Sequence, residues 1–198
     1  MGMEIDLVIH VFWGQFGTRT AYREREQYIA FFFIPRKVKG RSRVEVVEQG
    51  GMTVAGVLVQ APWQRLWDEV PKAWQQVFQR APELQALQQG PFMDVSLGLV
   101  DSAYLQLVGV RLREGAAVPR GFTAVHIPAQ KLLRHRHVGP AAGIADSFGA
   151  MYAWARRHGV ALGDFKLDFG YLPSGDETEH ELLAGLLPEV AWRSAHAG

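Results

Sequence analysis

This sequence predicts an α+β domain built from two copies of a strand-helix-strand-strand unit. Two prolines, Pro62 and Pro140, each open a stretch in which apolar residues recur at three- and four-residue steps. Each stretch is followed by a pair of apolar, β-branched runs bounded by Gly, Pro, Asp and Ser. The spacing is comparable in both halves while residue identity is low, so the repeat is one of layout rather than of sequence.

Taken in order, residues 1–42 form an N-terminal extension without the regular layout that follows. It ends in the basic stretch Arg36, Lys37, Lys39, Arg41 and Arg43 around Gly40. With no aromatic residues interleaved, that stretch reads as a solvated linker rather than a nucleic-acid surface. Unit one spans 43–113. It begins with a strand around Val44 and Val46, a turn at Gly50-Gly51, and a strand through Val54 and Val57 to Val59. Pro62 opens a helix whose face carries Trp63, Leu66, Trp67, Val70, Trp74, Val77 and Phe78. Pro71 predicts a kink or restart near residue 70, because proline lacks the backbone donor and clashes with the preceding turn. After a break at Gly90-Pro91, the runs Phe92 to Val100 and Ala103 to Arg113 form a strand pair joined at Asp101-Ser102.

Unit two spans 119–187. Phe122, Val125 and Ile127 predict a strand before Pro128, and a longer strand follows. Gly139-Pro140 opens a helix with Ile144, Phe148, Met151, Tyr152 and Ala155 on one face. Arg156, Arg157 and His158 fall in its last turn and Gly159 stops it. The runs Phe165 to Leu172 and Thr178 to Leu183 complete the unit, and 188–198 form a C-terminal tail.

Composition narrows the chemistry. A chain of 198 residues, 48% hydrophobic and 21% charged, is an ordinary globular sequence, and a net charge of +1 supplies no long-range field for nucleic acid or an anionic membrane. The absence of cysteine excludes disulfides, a thiolate nucleophile and Cys-ligated zinc, and agrees with a cytoplasmic location. The longest apolar runs, such as Ile29 to Ile34, are far too short to span a bilayer, and the N-terminus has no basic leader. His180-Glu181 begins like HExxH, but Ala184 stands where the second ligand belongs. His135 and His137 alternate with Arg134 and Arg136 and read as an exposed strand face, not a metal site. No GxSxG elbow is present, and no cofactor is expected.

The second unit, VPRGFTAVHIPAQKLLRHRHVGPAAGIADSFGAMYAWARRHG, carries a resemblance through Pro119, Gly121, Ile127, Pro128, Ala129, Lys131, His137, Gly139, Pro140, Ile144, Phe148, Met151, Tyr152, Trp154 and Gly159. In the first unit, Met52-Thr53-Val54-Ala55-Gly56 and the tryptophan-rich helix agree with it. Over residues 44–185 the chain resembles the gyrase-inhibitor-like family, the effector-binding domain of AraC-type and MerR-type bacterial regulators. Departures from the family pattern are Leu132 and Gln106 where aromatic residues are usual, and Phe169 where a glutamate is usual. After the acidic position at Glu181, Leu183 and Gly185 replace a tyrosine and a proline.

The resemblance implies a curved antiparallel sheet with helices on one side and an aromatic cleft between the units, binding lipophilic, cationic compounds over a glutamate. On that basis Glu181, Tyr104, Tyr171, Trp67, Phe169, Tyr152 and Trp154 are the candidate ligand-binding residues. A carboxylate beside aromatic faces receives an organic cation by charge pairing and cation-π attraction. Helix periodicity makes Trp67, Trp74 and Tyr152 core-facing, and Tyr104 and Tyr171 are expected at matching places in the two units. The expected role is that of a sensor or sequestering module without catalysis. Residues 1–42 lack a helix-turn-helix pattern, so a partner regulator protein would supply any transcriptional output. Two alternatives remain open: a small hydrolase with Glu181 as general base and Tyr171 or Tyr104 as acid, and a protein-binding inhibitor of the gyrase-inhibitor type.

Overall fold

A computed structural model describes residues 44–187, and the predicted extension, its basic stretch and the C-terminal tail lie outside the described residues. Among the described residues, the strands are β1 (Glu45–Gln49), β2 (Met52–Ala61), β3 (Gln88–Val100), β4 (Ala103–Leu112), β5 (Thr123–Ile127), β6 (Gln130–Val138), β7 (Leu162–Tyr171) and β8 (Glu179–Leu186). The helices are α1 (Trp63–Gln79), the short α2 (Ala81–Gln85) and α3 (Ile144–Arg157), which a 3-10 turn at Ala141–Gly143 introduces. All pairings are antiparallel in one eight-stranded sheet of order β1-β6-β8-β7-β3-β4-β2-β5.

This order carries a pseudo-two-fold axis between the central strands β7 and β3, and the predicted duplication is therefore real in three dimensions. The Gly50-Gly51 turn joins no hairpin: β1 pairs with β6 of unit two, while β5 pairs with β2 of unit one. Each unit thus lends its leading strand to the other. Because β1 and β2 sit at opposite ends of the order and their two-residue link spans at most about 10 Å, the sheet must curl until its ends approach each other. The link Pro128-Ala129 between β5 and β6 imposes the same constraint from the other direction.

Curvature separates two cores. On one face, α1 packs on β2 and β4 and α3 on β6 and β8. There Leu66, Val70, Trp74 and Val77 meet Ala55, Val108 and Val110, while Ile144, Phe148 and Met151 meet Leu133 and Leu182. The helix-free face holds a separate cluster of Met52, Val54, Met93, Val95, Leu107, Ile127, Leu132, Leu167 and Leu183. Fully burying one such aliphatic side chain stabilises by about 1.5–3 kcal/mol.

Helix α1 runs from Trp63 to Gln79 through Pro71 without the predicted restart. Burial of its apolar stripe offsets the donor that Pro71 removes. Likewise, β3 begins at Gln88, ahead of the expected Gly90-Pro91 break; a register shift between Gln88 and Phe92 absorbs both residues. His135 and His137 are buried rather than exposed, since the alternation that turns Arg134 and Arg136 outward turns both histidines under α3. No helix among the described residues is long and apolar enough to cross a membrane.

Candidate ligand site between the repeats

At the pseudo-two-fold axis, Asp94 of β3 lies directly opposite Asp168 of β7. Both point to the helix side, and they are 5% and 2% exposed. Their supports are also related by the axis. Asp94 lies opposite Val108 in β4 and Asp168 opposite Leu182 in β8; two residues before these partners stand Gln106 and His180. Gln106 donates its amide N–H to Asp94, and Ser96 donates to Gln106 at 3.2 Å. His180 donates from Nδ1 to Asp168 at 2.8 Å, leaving its buried Nε2 without a hydrogen-bond partner. The repeat has therefore placed one carboxylate and one polar partner per unit at the same point.

Tyr171 is added to unit two by a local irregularity. Between Asp168 and Tyr171 the chain holds an extra residue in a bulge, so Tyr171 returns to the face of Asp168 and donates its hydroxyl to Oδ2 at 2.5 Å. Gly170 makes this possible: its φ is +131°, and a Cβ there would lie 2.5 Å from the Glu179 carbonyl oxygen.

Burial dominates the electrostatics. It pushes the Asp94 carboxyl up to about 8, helped by the neighbouring Asp168 and opposed by the Gln106 bond. Burial also raises Asp168, but bonds from His180 and Tyr171 and the nearby His137 act the other way. Asp168 is thus the better-supported anion of the pair. The Tyr171 hydroxyl is held well above its usual range, first by burial and then by the adjacent Asp168.

The helices form the walls. On α1, Trp74 packs at 4.6 Å from the Tyr171 ring and 4.9 Å from Phe78, which meets Phe92 of β3 edge-on at 5.3 Å. That edge of α1 also carries Trp67, which is 37% exposed rather than core-facing. Opposite, Tyr152 of α3 donates to the Gly163 carbonyl at 2.9 Å, with the Lys166 ammonium 5.7 Å from its ring centre. Burial and Asp164 hold the Tyr152 hydroxyl up at about 12, while burial lowers the Lys166 ammonium against the opposing effect of Asp164. Ser96, Gln106 and Lys166 are half-buried and lie on the same face of the sheet, along β3, β4 and β7.

The seven sequence candidates do not gather in one pocket. Tyr171 reaches the buried carboxylates, while Trp67 and Tyr152 stand on the two helices, α1 and α3, that cover this face. Tyr104 packs against Trp63 at 5.4 Å near the start of α1. It has no counterpart relation to Tyr171, because the matching places belong to the Asp94/Asp168 and Gln106/His180 pairs. Trp154 occupies the other edge of α3, stacked on His158 at 4.0 Å. Phe169 and Glu181 alternate onto the helix-free face, where Glu181 is exposed. They line an open cleft of about 420 Å³ with Gln49, Arg111, Arg136 and Glu179, and Arg136 pairs with Glu179. With Glu181 on one face and Tyr171 and Tyr104 on the other, the acid-base pairing required by the hydrolase alternative is not assembled.

Asp94 and Asp168 escaped the sequence reading, although a signal was present. Each stands between two apolar neighbours, in Met93-Asp94-Val95 and Leu167-Asp168-Phe169, on the strand that follows its unit's helix. A carboxylate at an inward position of a central strand is expensive unless it is functional or paired. Among the described residues no group of three or more His, Asp and Glu side chains is arranged to hold a metal ion.

The fold is thus one antiparallel sheet of two pseudosymmetric halves with its helices on one face. The chain belongs to the GyrI-like family: the profile of the GyrI-like small molecule binding domain matches residues 42–183. No curated protein matches it in sequence. Among solved structures it is similar to SAV2435 bound to tetraphenylphosphonium, with a TM-score of 0.59 at 11% identity, covering 78% of this chain and 99% of that one. It is also similar to a putative bacterial transcription regulation protein from Staphylococcus aureus, with a TM-score of 0.57 at 11% identity over 74% and 99% of the two chains. The C-terminal domain of EcmrR gives 0.56 at 10% identity over 75% and 99%.

Proposed function

We propose that this protein is a non-catalytic receptor for lipophilic, cationic small molecules, acting as a sensor or sequestering module. The observation that carries this reading is the pair of desolvated carboxylates, Asp94 and Asp168, beside the aromatic faces of Tyr171 and Trp74. An organic cation seated between α1 and α3 would meet Asp168, already held by Tyr171 and His180, and gain both charge pairing and ring contact. Trp67 and Tyr152 would close on it from the two helices. The tetraphenylphosphonium bound to the structurally similar SAV2435 has the charge and apolar surface such a site would accept.

The test is tryptophan quenching by tetraphenylphosphonium, comparing the wild type with Asp168→Asn and Glu181→Gln, each checked for folding by near-UV circular dichroism. Loss of the Asp168 charge should weaken binding at least tenfold, or about 1.4 kcal/mol, whereas Glu181→Gln should leave it within about twofold. The opposite pattern would move the site to the helix-free cleft that Glu181 lines. No measurable affinity of the wild type for the probe would overturn the reading.

A further inference from the structure

Two carboxylates facing each other in a buried, in-register position cannot both be ionised without a nearby cation, because like charges at cross-strand separation repel strongly where water is absent. Around this pair, each element supplies a known set of groups. Strand β4 offers the neutral amide of Gln106 to Asp94, and β8 offers His180 to Asp168. Strand β7 offers the Tyr171 hydroxyl and, one cross-strand position further along, Lys166 near the Tyr152 ring. From β6, His137 is engaged with Ser147 at 2.9 Å and with the Pro140 carbonyl at 3.1 Å, and His135 lies beside it. The segment after β7 adds Glu177, whose carboxylate oxygens are buried without hydrogen-bond partners and which acts on Tyr171 as a further negative charge. Helix α1 contributes the uncharged Trp74 and Phe78, and α3 the phenol of Tyr152. Donors favouring an anion thus converge on Asp168, while Asp94 has a single amide donor.

We propose that Asp94 and Asp168 hold one proton between them in the empty site, and that a bound organic monocation takes the place of that proton. Its seat in the empty site is Asp94, which is consistent with the direction in which burial and Asp168 push that carboxyl. Binding then exchanges one positive charge for another: the cation enters, the proton on the Asp94 oxygen leaves to bulk water, and the site's net charge is conserved. The exchange selects monocations over neutral molecules of the same shape, since a neutral ligand can neither displace the proton nor satisfy the second carboxylate. It also makes capture weaker as pH falls, because the proton competes for the same place.

This inference rests on the receptor reading above, and calorimetry of the whole chain separates the two. Tetraphenylphosphonium is titrated at pH 6.5 in two buffers of different ionisation enthalpy, with neutral triphenylphosphine oxide as control. Release of about one proton per cation bound is expected, and Kd should rise close to tenfold for each unit of pH lowered from 7.5 to 5.5. Asp94→Asn should abolish both the release and the pH dependence. Cation binding with no proton release, or with a flat pH profile in the wild type, overturns the exchange and leaves the receptor reading standing. Absence of any cation binding overturns both. The wild-type measurement decides the matter even if Asp94→Asn fails to fold.

Discussion

At the scale of single residues, the Asp94 carboxyl ties stability to pH. Its ordinary value is 3.8, and in the folded chain burial lifts it to about 8. Between those values the folded state keeps a proton that the unfolded state has lost, so stability is highest at the acid end of the window and falls as pH rises through it. Asp94→Asn should flatten that slope, which for one proton is at most about 1.4 kcal/mol per pH unit. It should also stabilise the chain at pH 8, because the amide oxygen can still accept from Gln106 while its N–H group can donate to Asp168. Urea midpoints of both proteins from pH 5 to pH 8 check this; parallel profiles would show that Asp94 does not carry the proton. Little of this chemistry was legible beforehand. Tyr171 was expected at a cleft and lies against Asp168, whereas Glu181, chosen because it matches a family pattern, lies on the helix-free face, and no local sequence rule tells which face of a strand an acid occupies. Cross-strand register decides that, and register depends on a bulge whose only local sign was Gly170.

Among elements, that bulge in β7 matters most. It inserts one residue between Asp168 and Tyr171 and so converts a side chain that would face the opposite core into a ligand of the buried carboxylate. Gly170→Ala should destabilise the domain by about 2–4 kcal/mol, since the new methyl would collide with the Glu179 backbone in β8 and the positive φ disfavours any side chain. Thermal melts report the loss of stability, and a wild-type melting temperature would mean that the bulge tolerates a side chain. Helices were the most legible elements. The apolar stripe of α3 and its terminal Arg156, Arg157 and Gly159 were read directly. The stripe of α1 was also clear, but Pro71 pointed to a break that tertiary burial of Leu66, Val70 and Trp74 overrides. Trp67, expected to face the core, is exposed instead. Strand partners were the least legible: the Gly50-Gly51 turn was read, but not that the strands it joins pair elsewhere, β1 with β6 and β2 with β4 and β5.

For the whole molecule, the layout repeat was correctly read as a duplication, and the pairing of β1 with β6 and of β5 with β2 shows how tightly the two copies are joined. Cutting the chain in the connection between β4 and β5 should give fragments 44–116 and 117–187 that do not fold as monomers, because each lacks a strand that the other provides. Mixed in equal amounts, they should regain the circular dichroism spectrum and cooperative melt of the intact domain. A fragment that melts cooperatively as a monomer would contradict this account.

The lending of leading strands also sets an order for events during synthesis. When β2 to β4 leave the ribosome, the outer edge of β2 has no neighbour, and it stays open until β5, ending at Ile127, has been made. Until β6 follows, β1 has nothing to pair with at all. The nascent first half therefore presents an unpaired, valine-rich edge for as long as it takes to translate the second half's opening strands. Such an edge is a template for association with another nascent chain. The arrangement that locks the finished domain together thus also leaves its assembly open to error at that edge.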